Sequence, residues 1–189
     1  DQPALTSYRA HRRLEAVTMG GTMRGVIEAA TYIDEQGMFR FDILREEGSM
    51  LIRDQVLRKA LQNEQENYNK REVSQVELTP RNYAFEVDRS SDDRDTITIR
   101  MRPRRASPML LTGTLEVTRS GGELIRVDGT PAELPSWWTR RVDIIRRYYR
   151  IGGVRVPIEM SSTASIRVAG ESTFRMTYEY SAINGRPVE

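Results

Sequence analysis

The sequence predicts a mainly β fold of the α+β kind: one antiparallel sheet of about ten strands in a single domain, 1–189, covered by one amphipathic helix. Three observations carry this. Apolar and polar residues alternate with a period of two over most of the chain, as strands with one buried and one solvated face require. Glycine-containing turn signals separate the alternating runs. One stretch, "SMLIRDQVLRKALQNEQENYNK", breaks the alternation and holds neither Gly nor Pro.

A chain of 189 residues can bury roughly 70% of its unfolded surface, so the fold needs no covalent staple. There is no cysteine, which excludes disulfides and thiolate metal sites and leaves the redox compartment open. No apolar run is long enough to span a membrane. No secretory signal stands at Asp1, and the first residue is not Met, which fits a mature form whose signal peptide has been removed. The net charge of +2 is unevenly spread: residues 1–95 carry a net −4 and residues 96–189 a net +6. Asymmetry of this size gives only a modest pull toward anionic surfaces.

In chain order, two or three strands precede residue 48. "YRAHRRLE" reads as a strand with His11 on its exposed face, and "MFRFDI" places Phe39, Phe41 and Ile43 on one face. Gly20-Gly21 and Glu35-Gln36-Gly37 mark the turns. The helix follows. Leu57, Ala60, Leu61 and Tyr68 share a stripe, and Met50 lies seven residues before Leu57. Ser49 is in place to cap it, and Glu66 and Lys70 form an i,i+4 pair.

After residue 80 the alternation resumes. Tyr83, Phe85 and Val87 face one way; so do Ile97, Ile99 and Met101, with Arg100 and Arg102 opposite them. Met109, Leu111, Leu115 and Val117 share a face with Gly113. "PSWWTRRVDIIRRYYR" (135–150) fits either a helical stripe or a strand. Pro135 before it, Gly152-Gly153 after it and its β-branched and aromatic content favour the strand, making 139–160 one long hairpin. In that reading Trp138, Val142, Ile144 and Tyr148 share a face with Arg140 and Arg146. Val154, Val156, Ile158 and Met160 alternate next, and then Phe174, Met176, Tyr178 and Tyr180, with Arg175 outward.

The chain shows no recognisable catalytic constellation. One histidine and no cysteine leave no set of zinc ligands. Asp92, Asp93 and Asp95 lack the mid-loop Gly and closing Glu of a calcium loop and read as a solvated hairpin. No phosphate-binding glycine loop, H-E-x-x-H or G-x-S-x-G is present. The basic and aromatic residues of 135–150 lack the Gly-rich core of RNA-binding sheets, so nucleic acid is not expected as a partner.

The stretches "IRDQVLRKALQNEQE", "NYAFEV", "LTGTLEVTRSGGELIRVDGTPAELPSWWTRRVDIIRRYYRIGGVRVPIEM" and "SIRVAGESTFRMTYEYSAING" cover roughly the last three quarters of the chain. In pattern and order they resemble the outer-membrane lipoprotein-sorting and carrier proteins, the LolA-like superfamily, and within it the uncharacterised periplasmic members. The resemblance implies a strongly curved sheet, an incomplete β-barrel, with helix over its apolar mouth and acyl chains or other hydrophobic groups held in the concavity. The helix that precedes the first strand in the carriers is absent or very short here, and no single Arg matches their functional one.

The expectation is therefore a non-enzymatic periplasmic binding module, without cofactor, for a hydrophobic small molecule or a lipidated protein. The alternative is a structural or sensor module that binds another cell-envelope protein. The candidate cavity lining is Met50, Leu57 and Leu61 from the helix and Ile97, Ile99, Met101, Met160, Phe174 and Met176 from the strands. Trp137 and Trp138 are expected at its edge. Methionines adapt to irregular ligands, and Trp suits a site with one apolar and one wet side.

Overall fold

The computed structural model describes residues 3–70, 72–89, 93–134, 139–167 and 170–188. Three strands, β1 (Tyr8–Thr18), β2 (Met23–Ile33) and β3 (Phe39–Gly48), precede the helix. Seven follow it: β4 (Tyr83–Val87), β5 (Thr96–Pro103), β6 (Leu111–Thr118), β7 (Leu124–Pro131), β8 (Thr139–Ile151), β9 (Val154–Ile166) and β10 (Gly170–Ile183). A two-residue strand, β11 (Arg186–Pro187), pairs with β10 and brings the sheet to eleven strands. "PSWWTRRVDIIRRYYR" thus enters β8 at Thr139, and its turn at Gly152-Gly153 leads into β9, as the hairpin reading expects.

The sheet is two meanders side by side. Its order is β3-β2-β1-β10-β9-β8-β7-β6-β5-β4, antiparallel throughout. The seam is the pairing of β1 with β10, in which Arg12 lies opposite Tyr178 and Leu14 opposite Met176. The outer strands, β3 and β4, do not pair, so the barrel is incomplete. Because β3 and β4 lie at opposite edges, residues 49–82 must carry the chain from one edge to the other. The helix is part of that crossing.

The helix, α1 (50–69), is continuous but not uniform. Met50–Ile52 and Lys59–Asn69 are α-helical, and Arg53–Arg58 between them is π-helical. Ser49 occupies the cap position without a side-chain cap bond; its N–H donates to the Arg24 carbonyl at 2.8 Å. Gly48 (φ 79°) and Gly25 make this corner possible. A Cβ on Gly48 would lie 2.3 Å from the Arg24 carbonyl oxygen, and one on Gly25 would lie 2.8 Å from Ile52 Cγ2.

The π turn corrects one expectation about the helix. An i→i+5 turn takes up one residue more than an α turn, so positions before it rotate relative to those after it. Ile52 is thereby buried with Leu57 and Leu61, while Met50 is 68% exposed at the helix start. Lys70 and Glu66 do pair, at 3.4 Å on the surface.

Burial follows the alternation in most strands, but not at Met109, which precedes β6 and is exposed while Leu110 beside it is buried. Met101, Leu115 and Met176 are buried, Ile97, Ile99 and Phe174 are half-buried, and Arg100, Arg102 and Arg175 are exposed. Phe85 and Val87, on the apolar phase of β4, are exposed because β4 is an uncovered edge strand. Two larger cores result. The first joins α1 (Ile52, Leu57, Leu61) to Leu14, Ile27, Phe39 and Met176 on β1, β2, β3 and β10. The second joins Tyr83, Met101, Leu110, Leu115 and Val127 on the other half of the sheet. Among the described residues no helix is long and apolar enough to cross a membrane.

Candidate functional site

Between the two cores the concave face is not filled. A trough of about 480 Å3 runs along the flank of α1 that faces away from β3. Ala60, Asn63, Glu64, Asn67 and Tyr68 form the helix side. Ile144, Arg146 and Tyr148 of β8, Met160 of β9, and Met176 and Tyr178 of β10 form the floor. Val76, Pro108, Met109 and Leu111 close the far side. Strand register explains the floor: Ile144 pairs with Ser162 and Arg146 with Met160, so these β8 side chains share the face of Met160. A volume of this size is well above the few-water voids of a close-packed interior and within the roughly 300–1,000 Å3 of ligand pockets. A larger crevice of about 620 Å3 lies at the chain ends, between Pro3, the Ile151–Gly152 turn and Ile183–Val188. It lies outside the helix–sheet space, and the turns and terminal segments that bound it give no convergent set of side chains.

The side of the trough toward β1 is closed by a buried polar cluster. Arg12 points inward from β1, between Ala10 and Leu14, and is 1% exposed. Its Nη1 donates to Glu64 Oε2 of α1 at 2.6 Å and its Nη2 to Glu64 Oε1 at 3.0 Å, a bidentate pair. Nη2 also donates to the Tyr8 hydroxyl. The guanidinium lies 4.5 Å from the centre of the Tyr178 ring and 5.1 Å from that of Phe39, the range of cation–π attraction. Tyr178 stacks on Tyr180, and Phe39 on Tyr68.

Burial works against the Arg12 charge, but Tyr178, Glu64 and Tyr8 more than offset it and hold the group above its ordinary pKa. Burial also keeps the tyrosines of the cluster protonated. It pushes Tyr68 up to about 12 and Tyr8, Tyr178 and Tyr180 well above their ordinary value. Two further ties hold the same flank of the helix. Glu46 of β3 accepts from Arg53 at 3.3 Å and from Arg58, and Gln65 donates to the Phe39 carbonyl at 3.3 Å.

The predicted lining is only partly brought together. Met160 and Met176 line the trough. Leu57 and Leu61 are fully buried in the first core, where they fix the helix rather than face the space. Met50 is on the surface because of the π turn. Ile99 and Met101 belong to the second core and are not among the residues that line the trough. Ile97, half-buried near the start of β5, is not part of the lining. Phe174 lies opposite Ala16 and packs against the first core. Trp137 and Trp138 lie outside the described residues.

Sequence reasoning missed Arg12 and Glu64. The alternation of Tyr8, Ala10, Arg12, Leu14 and Ala16 does put Arg12 on the core phase of β1, which was the available signal. A charge at such a position requires a partner.

No family model matches the chain, and no curated protein matches it. Among solved structures it is similar to a DUF1329 family protein from Desulfovibrio piger, with 10% identity over 97% of this chain and 86% of that one and a TM-score of 0.46. A likeness at that level decides nothing about what this chain binds.

Proposed function

We propose that the protein is a non-enzymatic binding module that holds a lipid, a lipoprotein acyl chain or another hydrophobic ligand in the trough between α1 and the sheet. The observation that carries the proposal is the trough itself, about 480 Å3 of unfilled space beside a helix whose other flank is closely packed. Three of the eight methionines, Met109, Met160 and Met176, line it, and flexible thioether side chains suit an irregular or variable apolar occupant. Their neighbours Leu111, Ile144 and Val76 are aliphatic, while Asn63 and Asn67 of the helix, the tyrosines and Arg146 supply polar groups that can orient a ligand. A periplasmic site of action, like membership of the LolA-like superfamily, rests on the resemblance in sequence pattern and belongs to the same proposal.

Native mass spectrometry of protein purified from its own organism, followed by organic extraction, tests this. The expected result is a co-purifying acyl ligand that extraction releases. Protein that carries no hydrophobic adduct, and that instead co-purifies with an envelope protein, would overturn it in favour of a structural or sensor module.

A further inference from the structure

The charges in the trough are not balanced. Its lining contains three charged residues, Glu64, Arg146 and Glu159. Both carboxylates are engaged: Glu64 with Arg12 at 2.6 Å and Glu159 with Arg175 at 3.0 Å. Arg146, half-buried on β8 among Ile144, Tyr148 and Met160, has no ion pair or side-chain hydrogen bond among the described residues. Arg12 shows how this fold treats a guanidinium meant for structure: it is buried against a bidentate carboxylate and three aromatic rings. Arg146 is left open at the same concave face with its donors unused. A guanidinium presents a planar fork that matches a carboxylate or phosphate, and an apolar wall beside it accepts a hydrocarbon chain.

From this juxtaposition we infer that the trough selects a single-chain amphiphile with an anionic head, and that Arg146 is the head-group residue. The inference rests on the proposed binding function and names its ligand class. The volume sets the number of chains: about 480 Å3 is in the lower part of the range of ligand pockets and suits one chain rather than two. The chain lies along Met160, Met176 and Ile144, and the head is held at Arg146, with the Tyr148 and Tyr178 hydroxyls as further donors. The shared chemistry is the anionic head, either the carboxylate of a fatty acid or the phosphate of a lysophospholipid.

Three ligands with one chain and different heads test it by calorimetric titration: dodecanoate, dodecyl phosphate and dodecanol. The native protein is expected to bind at least one of the anions on the order of tenfold more tightly than the alcohol, the scale of one charge-assisted contact in a half-buried site. Whichever anion binds more tightly identifies the source of the head group. Arg146→Met should bring the anion-to-alcohol ratio to about one, with circular dichroism and the urea midpoint showing that the variant is folded. Arg146→Lys should keep part of the preference. Equal affinity for all three ligands in the native protein, or a preference that survives Arg146→Met, would overturn the head-group assignment and leave hydrophobic binding standing. Failure of all three to bind would overturn the binding function as well.

Discussion

The two flanks of the covering helix are built differently. Toward β1, β2 and β3, Leu57 and Leu61 are fully buried against Leu14 and Ile27, and Arg12, Glu46 and the Phe39 carbonyl all tie the helix down. Toward β8 and β9 the helix faces open space, and Ile144, Met160 and Tyr148 stay half-buried. Simple dimensions account for the difference. A helix is about 10–12 Å across, and strands lie about 4.7–4.9 Å apart, so one helix covers two or three strands. The path of this sheet has ten. Val76 and Leu78, in the loop after the helix, pack against the second core and cover another part. What neither covers becomes the trough. A single amphipathic helix over a wide curved sheet thus yields a filled core and a cavity side by side.

That contrast predicts that perturbing the filled flank costs stability, while perturbing the open flank changes binding. The largest expected effect is alkaline unfolding. Tyr8, Tyr68, Tyr178 and Tyr180 have folded pKa values raised by burial, Tyr68 to about 12, against about 10 when unfolded. The folded state therefore holds more protons above pH 10. The stability these groups contribute is fully present below about pH 10 and is lost as pH rises toward 12 and beyond. Tyrosinate absorbance should show these four titrating only as circular dichroism reports unfolding. Four that titrate freely in the folded protein would mean that the flank is not closed.

Next in size is the ion pair. Glu64→Ala leaves the Arg12 charge buried without its carboxylate and should cost about 3–5 kcal/mol in urea unfolding. The double variant Arg12→Met with Glu64→Leu should recover most of that, since no unpaired charge remains. Leu57→Ala should cost about 2–4 kcal/mol, as expected where a fully buried side chain leaves a cavity. A cost under about 1 kcal/mol would make the helix a loose lid on both flanks. The smallest effect belongs to the helix start. Met50→Ala should stay within about 0.5 kcal/mol, and Ile52→Ala should cost several times more, because the π turn buries Ile52 and exposes Met50.

Strand phase was legible in the sequence wherever strict alternation fixes which side chains face in. Met101 and Met176 are buried and Arg100 and Arg175 exposed for that reason alone. The face shared by Ile144, Arg146 and Tyr148 was legible in the same way and is the floor of the trough. Leu57 and Leu61 were legible from the helical stripe, but Met50 was not, because spacing assumes a uniform helix and does not reveal a π turn. The partner of Arg12 lies 52 residues away on another element, a pairing that only tertiary structure decides. The trough depends on the distance between α1 and β8–β9, which no local pattern encodes. The expected lining included Ile99 and Met101 of β5 and Phe174 of β10, which pack in the two cores rather than along the trough.

The central claim, that the open flank is a binding site rather than spare volume, is tested most directly by filling it. Met160→Trp places a large ring in the trough from the edge of the first core, where Met160 is only half-buried, and binding of the fluorescent fatty acid cis-parinarate is titrated for both proteins. Saturable binding at micromolar ligand by the native protein is expected, abolished in the variant with the urea midpoint unchanged. Binding that persists in the variant, or is absent from the native protein, would contradict the claim.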